Sequence, residues 1–243
     1  MKLQDGARHL GIDLSSTQLE AFDLYRAELL AWNQRFNLTG ITDPDEVDTK
    51  HFLDSLSVLV GLTRIDGRSV ADRLGSVARA VDVGAGAGFP GLPLKLVWPG
   101  LKLTLVESTG KKCRFLTHIV QQMKLQDVTV VQARAEDFGQ GEGRASFDLA
   151  FARAVNRLPI LLEYTLPLLH RGGYLIAQKG RDPQEEASAS DHALRTLGGE
   201  VQDILPVTVP GLDAQRTLIT VAKVRKTPQE YPRRPGMPKQ QPL

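Results

Sequence analysis

The run Ala80-Val-Asp-Val-Gly-Ala-Gly-Ala-Gly-Phe-Pro-Gly91 limits what this chain can fold into more than any other stretch. Val81 and Val83 flank Asp82 as a buried strand would run out. Gly84, Gly86 and Gly88 follow at alternate positions, and Pro90 stands where a helix would begin. A backbone stripped of side chains can lie close against a bulky ligand, and the helix N-terminus beyond it carries partial positive charge. The run therefore predicts a strand, a nucleotide-binding turn and a helix.

From about residue 76 short apolar runs alternate with helical stretches, the pattern of βαβ units and a parallel sheet. Strands are predicted at Arg79–Val83, Lys102–Val106, Asp127–Gln132, Phe147–Phe151 and Tyr174–Gln178. Helical stretches lie between and after them, around Leu92–Trp98, Lys111–Met123, Leu158–Leu169 and Asp182–Leu197. Val201–Val209 and Thr217–Val224 are joined by a connection too short for a crossover helix, so they must form an antiparallel hairpin. Five parallel strands closed by a hairpin make a seven-stranded, mostly parallel α/β sheet.

Upstream, residues 15–36 read as a helix, with Ser15 and Gln18 as a capping box and Leu19, Phe22, Leu29, Trp32 and Phe36 on one face. A second helix is expected from Asp43 to about Val60, with Pro44 at its first position and Glu46 completing another capping box. Gly61 to Gly75 reads as an irregular joint. The expected organisation is an N-terminal helical extension over 1–75, a ligand-binding domain over 76–225 and a basic tail over 226–243.

A chain of 243 residues can bury one sizeable core, and its size permits a monomer. No apolar stretch approaches the roughly 18 residues that span a bilayer, so no membrane partner is expected. Met1 to Asp13 is mixed and polar and does not read as a signal peptide. The single cysteine, Cys113, fits a reducing cytoplasm. The formal net charge of +2 is unevenly spread, −4 over residues 1–75 and +5 within 222–243, where six Lys and Arg oppose only Glu230. Such a tail suits a polyanionic partner, and equally a solvated segment with no partner.

Gly86-Ala-Gly88-Phe-Pro-Gly91 satisfies GxGxxG, and Glu107 ends the next predicted strand. A carboxylate there accepts hydrogen bonds from ribose hydroxyls of any adenosine ligand, so it does not distinguish NAD from S-adenosylmethionine. Two features favour the latter. Asp82 two residues before the first glycine would repel a pyrophosphate but tolerate a sulfonium cation. The terminal hairpin replaces the further βαβ units of a dehydrogenase. Ala135-Glu136-Asp137, after the third strand, is positioned to meet an adenine amine, or serves simply as a helix cap.

The chain resembles the bacterial 16S rRNA guanine-N7 methyltransferases, also called the glucose-inhibited division protein B family. The matching stretches are Trp32-Asn-Gln-Arg-Phe-Asn-Leu-Thr39, His51-Phe-Leu-Asp-Ser-Leu56, the run 81–91, Glu107-Ser-Thr-Gly-Lys-Lys-Cys-Arg-Phe-Leu116, Arg153-Ala154, Lys179-Gly180 and Tyr231-Pro-Arg-Arg-Pro-Gly-Met-Pro238. They spread over nearly the whole length. The resemblance implies a class I S-adenosylmethionine-dependent methyltransferase fold, S-adenosyl-L-methionine as cofactor, and 16S ribosomal RNA or the small ribosomal subunit as partner. It implies that Gly84 and Phe89 hold the methionine portion, with Gly86 beside them in the turn. It places Glu107, Ser108 and Thr109 around the ribose, Ala135 and Glu136 around the adenine, and Arg153 at the boundary between cofactor and substrate. Phe89 is often leucine in relatives, and read alone it is a core aromatic. Lys179 and Arg153, at strand ends, are expected to meet a phosphate or the base, and Arg233, Arg234 and Lys239 to add phosphate contacts.

What the chain lacks narrows the chemistry. Arg153-Ala-Val-Asn-Arg-Leu-Pro159 has no Asn/Asp-Pro-Pro-aromatic element of the kind that orients an exocyclic amine. Cys113, within Lys111-Lys-Cys-Arg-Phe, reads as a small helix residue rather than a nucleophile. Guanine N7 fits these absences, because its lone pair is free at neutral pH and no proton leaves; no catalytic acid or base is expected. His51 and Asp54, three apart on one helix face, are expected to pair and brace the N-terminal helices, and are too few to hold a metal. An NAD-linked oxidoreductase and a non-catalytic RNA-binding module are the competing readings.

Overall fold

A computed structural model describes residues 3–153, 156–180 and 183–243. Seven strands form one sheet in the order β3-β2-β1-β4-β5-β7-β6. They are β1 (Ala78–Val83), β2 (Leu101–Glu107), β3 (Val128–Gln132), β4 (Phe147–Arg153), β5 (Leu169–Lys179), β6 (Gly199–Val207) and β7 (Arg216–Lys223). The first five pair in parallel, and β7 runs antiparallel to both β5 and β6. The chain order reverses at β1, between β2 and β4. In an open α/β sheet the ligand crevice lies there, beyond the carboxyl ends of the strands.

Two apolar layers sandwich the sheet. Helices of the first 75 residues cover one face: α1 (Leu3–His9), α2 (Ser16–Phe36), α3 (Pro44–Val47), α4 (Asp54–Leu56), α5 (Val58–Asp66) and α6 (Val70–Leu74). Phe22, Tyr25 and Leu59 of these helices and Phe52 of the turn between α3 and α4 share one cluster with Leu105, Phe151 and Leu218 of the sheet. Two later helices, α7 (Gly91–Val97) and α8 (Gly110–Gln122), join the same layer. The opposite face packs under α9 (Ala135–Gln140), α10 (Leu158–Thr165), α11 (Pro183–Ser188) and α12 (Asp191–Leu197). No helix among the described residues is long and apolar enough to cross a membrane.

The capping box at Ser15 and Gln18 forms as the sequence predicts. The second one does not. Asp43 caps the amides of Asp45 and Glu46, but the Glu46 carboxylate turns outward to Lys50 at 2.6 Å. Three further expectations are corrected. Residues 61–75 are largely helical, because α5 continues to Asp66 with Leu62 buried, and Ser69 and Asp72 cap α6. Gly61 lets α5 approach β7, since a Cβ there would stand 2.9 Å from the Leu218 side chain. The helix expected to reach Leu169 stops at Thr165; a single 3-10 turn with Pro167 leads into β5, which starts five residues earlier than predicted. The stretch expected from Asp182 to Leu197 divides into α11 and α12, and Asp182 itself lies outside the described residues. The N-terminal α1 was not anticipated. Nor was the order of the tail, which ends in a short α13 (Met237–Gln240).

Candidate active site

The turn after β1 is wired by carboxylates. Gly84, Gly86 and Gly88 adopt φ of 72°, 62° and 101°. Gly88 cannot be replaced without a clash, because a Cβ would meet the Tyr25 hydroxyl and Leu92 at 2.5 Å. That hydroxyl donates to the Ala87 carbonyl, fixing the turn to α2. Asp82 accepts from the Gly91 amide at 2.8 Å, and Glu107 accepts from the amides of Gly86 at 3.0 Å and Thr109 at 2.8 Å. Each Glu107 oxygen keeps a further lone pair for a ligand hydroxyl. Asp82 is fully buried, and its second oxygen has no partner among the described residues. Burial pushes its carboxyl up to about 7, opposed by the Gly91 amide and the Arg153 cation.

Beyond this turn opens a cavity of about 450 Å³, lined by Gly84, Glu107, Ser108, Ala135, Glu136, Tyr164, Lys239 and others. Five of the residues expected around S-adenosylmethionine therefore face one space. Gly86 and Thr109 stand behind it, each donating its amide to Glu107. Phe89 lies elsewhere. It is buried between His51, stacked at 4.3 Å, and Tyr25 at 5.5 Å, and it lines neither this cavity nor the next. The Cys113 thiol donates to the Glu107 carbonyl, and burial pushes it up, away from thiolate chemistry.

A second cavity, of about 760 Å³, opens at the ends of β4, β5 and β7 and meets the first at Asn156. Lys50, Arg153, Arg157, Lys179 and Arg216 line it, against Asp54 and Glu186. Asp54 is the keystone. Its oxygens accept from Arg153 at 3.0 Å and Arg216 at 2.8 Å, and its carbonyl accepts from Gln178 at 2.7 Å. Arg153 also donates to the Lys50 carbonyl and to Nδ1 of His51, both at 3.0 Å, and lies 5.0 Å over the Phe89 ring.

The expected His51–Asp54 pair is thus replaced by an arrangement in which both hold Arg153. Residues 48–53 form a π-helical turn, which changes the spacing on which that expectation relied. Because the guanidinium is donor-only, His51 Nδ1 must accept, so Nε2 carries the proton and donates to Thr39 Oγ1 at 2.7 Å. Burial and Arg153 hold the imidazole down to about 3, consistent with this neutral form. Lys179 donates to the Asn156 carbonyl at 2.6 Å and to Glu186 at 2.7 Å.

The tail cations separate. Arg234 is exposed. Arg233 is not the free surface cation that the sequence reading expected, because its guanidinium grips the buried Glu163 at 2.9 and 2.6 Å. Sequence reasoning missed Arg216, Asn156 and Tyr164, and it did not see that Asp54 serves two arginines. A cation opening the last strand was the available signal for Arg216. Glu163, a lone carboxylate in the apolar helix Leu-Pro-Ile-Leu-Leu-Glu-Tyr-Thr, was the signal for a buried pair.

A seven-stranded sheet ending in an antiparallel hairpin, with its cavity at the β1 turn, defines a class I S-adenosylmethionine-dependent methyltransferase fold. Two solved structures share it. One is the 1,6-didemethyltoxoflavin-N1-methyltransferase of Burkholderia thailandensis, solved with S-adenosylhomocysteine (TM-score 0.53, 16% identity, 84% of this chain and 90% of that one). The other is a 16S rRNA (adenine(1408)-N(1))-methyltransferase from Catenulisporales acidiphilia (TM-score 0.51, 14% identity, 65% of this chain and 91% of that one).

The particular family is given by sequence. Residues 18–218 match the profile of the family described as rRNA small subunit methyltransferase G. Proteins named ribosomal RNA small subunit methyltransferase G are 42% identical in Alkaliphilus metalliredigens, over 100% of this chain and 98% of that protein, and 47% identical in Roseiflexus castenholzii, over 96% and 95%. The chain belongs to this family of rRNA methyltransferases.

Proposed function

We propose that the protein methylates N7 of a guanine in a loop of 16S ribosomal RNA, using S-adenosyl-L-methionine and no general base. The cofactor supplies an electrophilic methyl group on a sulfonium. The residues present fit such a ligand: Glu107 offers free lone pairs to a ribose diol, and Glu107 and Glu136 bring two carboxylates to the cavity wall. Gly84 and Gly86 give the turn close backbone approach, Ser108 and Thr109 flank the ribose position, and Ala135 and Glu136 the adenine. Phe89 supports the methionine end indirectly, by packing under Arg153 and against His51.

The observation that carries the reading is the junction of two unlike cavities at Asn156: the first sets Glu107 and Glu136 beside Arg134 and Lys239, and the second sets five cations against Asp54 and Glu186. A cationic donor and a polyanionic acceptor would meet there. Guanine N7 carries no proton and presents its lone pair in the ring plane, so the chain's task is alignment, which is worth up to roughly 7–11 kcal/mol of barrier. Arg153 and Lys179, held by Asp54 and Glu186, are fixed donors for a phosphate or the guanine O6. N7 in an A-form duplex faces a groove that side chains cannot enter, so the target base is in a loop or turned out of its stack. The protein acts in the cytoplasm, as a monomer, on the rRNA or the small subunit.

The test is methyl transfer from labelled S-adenosylmethionine to small-subunit RNA, naked and ribosome-bound, with digestion to nucleosides. N7-methylguanosine is the expected product. Label on an exocyclic amine or a ring carbon, or no transfer to either form, overturns the reading.

A further inference from the structure

The C-terminal tail is built into the wall of the first cavity. Arg144 donates to three of its carbonyls, Thr227 and Pro228 at 3.0 Å and Tyr231 at 2.7 Å. Gln140 donates to the carbonyls of Gln229 at 3.2 Å and Pro232 at 2.7 Å. Pro232 is buried against Gly139, where an added Cβ would come within 3.0 Å of its ring. Arg233 follows, with its guanidinium on both Glu163 oxygens and its amide donating to the same carboxylate at 2.8 Å. The Glu163 side chain is 1% exposed. Three residues later Gly236, at φ 88°, turns its amide onto Glu136 at 2.9 Å. Pro235, Gly236 and Lys239 then complete the cavity lining.

An arm that trails along RNA needs its cations free and its backbone solvated. Over residues 227–236 Arg233 is not free, and the carbonyls of Thr227, Pro228, Gln229, Tyr231 and Pro232 accept from Arg144 or Gln140, which leaves Arg234 as the exposed cation. Withdrawing Arg233 would leave a buried carboxylate uncompensated, which is strongly unfavourable. The contacts also converge on one ligand wall, since Glu136 and Tyr164 line the cavity from α9 and α10 while the tail closes it from outside.

We propose that residues 231–240 are a strap that completes the cofactor site and retains the adenosine end of the ligand. Arg144 and Arg233 are positioning residues that hold the strap, and Lys239 is its cation facing the ligand. This rests on the cofactor reading given under Proposed function and assigns the tail to the cofactor rather than to RNA.

The test uses the full-length protein, with S-adenosylhomocysteine as probe and no RNA present. Its Kd is measured by calorimetry and its release rate by stopped flow, for the wild type and for Arg144→Ala, Arg233→Ala and Lys239→Ala. Small-subunit RNA binding is measured in parallel across a salt series. Arg144→Ala strips hydrogen bonds only from half-exposed carbonyls and leaves no buried charge, so it keeps the test open if Arg233→Ala unfolds. The strap predicts at least tenfold weaker binding and faster release in Arg144→Ala and Arg233→Ala, a smaller loss in Lys239→Ala, and RNA affinity within twofold in all three. Unchanged probe affinity in a folded Arg144→Ala protein, or a reduced salt slope for RNA in Arg233→Ala with cofactor binding intact, overturns it. Failure of the wild type to bind the probe instead sinks the cofactor reading itself, and the strap with it.

Discussion

The two cavities that meet at Asn156 hold their charges in opposite ways. In the first, acidic side chains are satisfied by backbone amides: Gly86 and Thr109 on Glu107 and Gly236 on Glu136, with Gly91 on the buried Asp82 behind them. In the second, cations are satisfied by carboxylates and carbonyls: the buried Asp54 under Arg153 and Arg216, and the half-buried Glu186 with the Asn156 carbonyl under Lys179. Amide donors leave Glu107 and Glu136 spare lone pairs that face the first cavity, so its carboxylates stay open to ligand hydroxyls and amines. Ion pairing locks the direction of a guanidinium while part of its fork stays open to a phosphate or a base. The difference is one between a site wired by the main chain and a site wired by side chains. It predicts that the second is the more fragile to mutation.

Asp54→Ala should therefore have the largest effect. It leaves two part-buried arginines without their carboxylate, and a loss of about 3–5 kcal/mol in urea unfolding is expected, together with loss of methyl transfer. Glu107→Ala, its counterpart in the first cavity, should cost little stability. It should weaken S-adenosylhomocysteine binding by roughly ten- to a hundredfold in calorimetry, the value of about 1.5–3 kcal/mol for hydrogen bonds to a charged group. Equal destabilisation by the two substitutions would break the comparison.

How much of this could be read from the chain follows the same division. Gly84, Glu107 and Glu136 were legible because the glycine run and the strand pattern place them at strand ends by local rules, whereas Ser108 came only from the family resemblance. The antiparallel hairpin was legible from a connection too short for a helix. Asp54, Arg153 and Arg216 come together across separations of 99 and 162 residues, through a π-helical turn that periodicity does not announce. The strap was hidden by composition: a Pro, Arg, Lys and Gln tail carries no amphipathic period, and its Arg233–Glu163 pair spans 70 residues.

The comparison also has a pH signature, with opposite signs on the two sides. Asp82 titrates near 7 in the fold but near 3.8 when unfolded, so its contribution is fully present below about 3.8 and is lost as pH rises towards 7. His51 titrates near 3 in the fold and near 6.5 when unfolded, so its contribution is fully present above about 6.5 and is lost as pH falls towards 3. In melting curves of the unliganded protein between pH 4 and 8, Asp82→Asn should remove the first dependence and His51→Gln the second. The smallest effect is expected at Arg234, the exposed arginine of the strap. Arg234→Ala should lower the salt slope of RNA binding by roughly 0.7–0.9 and leave cofactor affinity unchanged.

The division of labour between the cavities is tested most directly by a crystal structure with S-adenosylhomocysteine and guanosine monophosphate together. The account predicts the ribose on Glu107, the adenine beside Ala135 and Glu136 under the strap, and the guanine nucleotide among Arg153, Lys179 and Arg216. Adenosine seated among those cations, or a phosphate nested against residues 84–91, would contradict it.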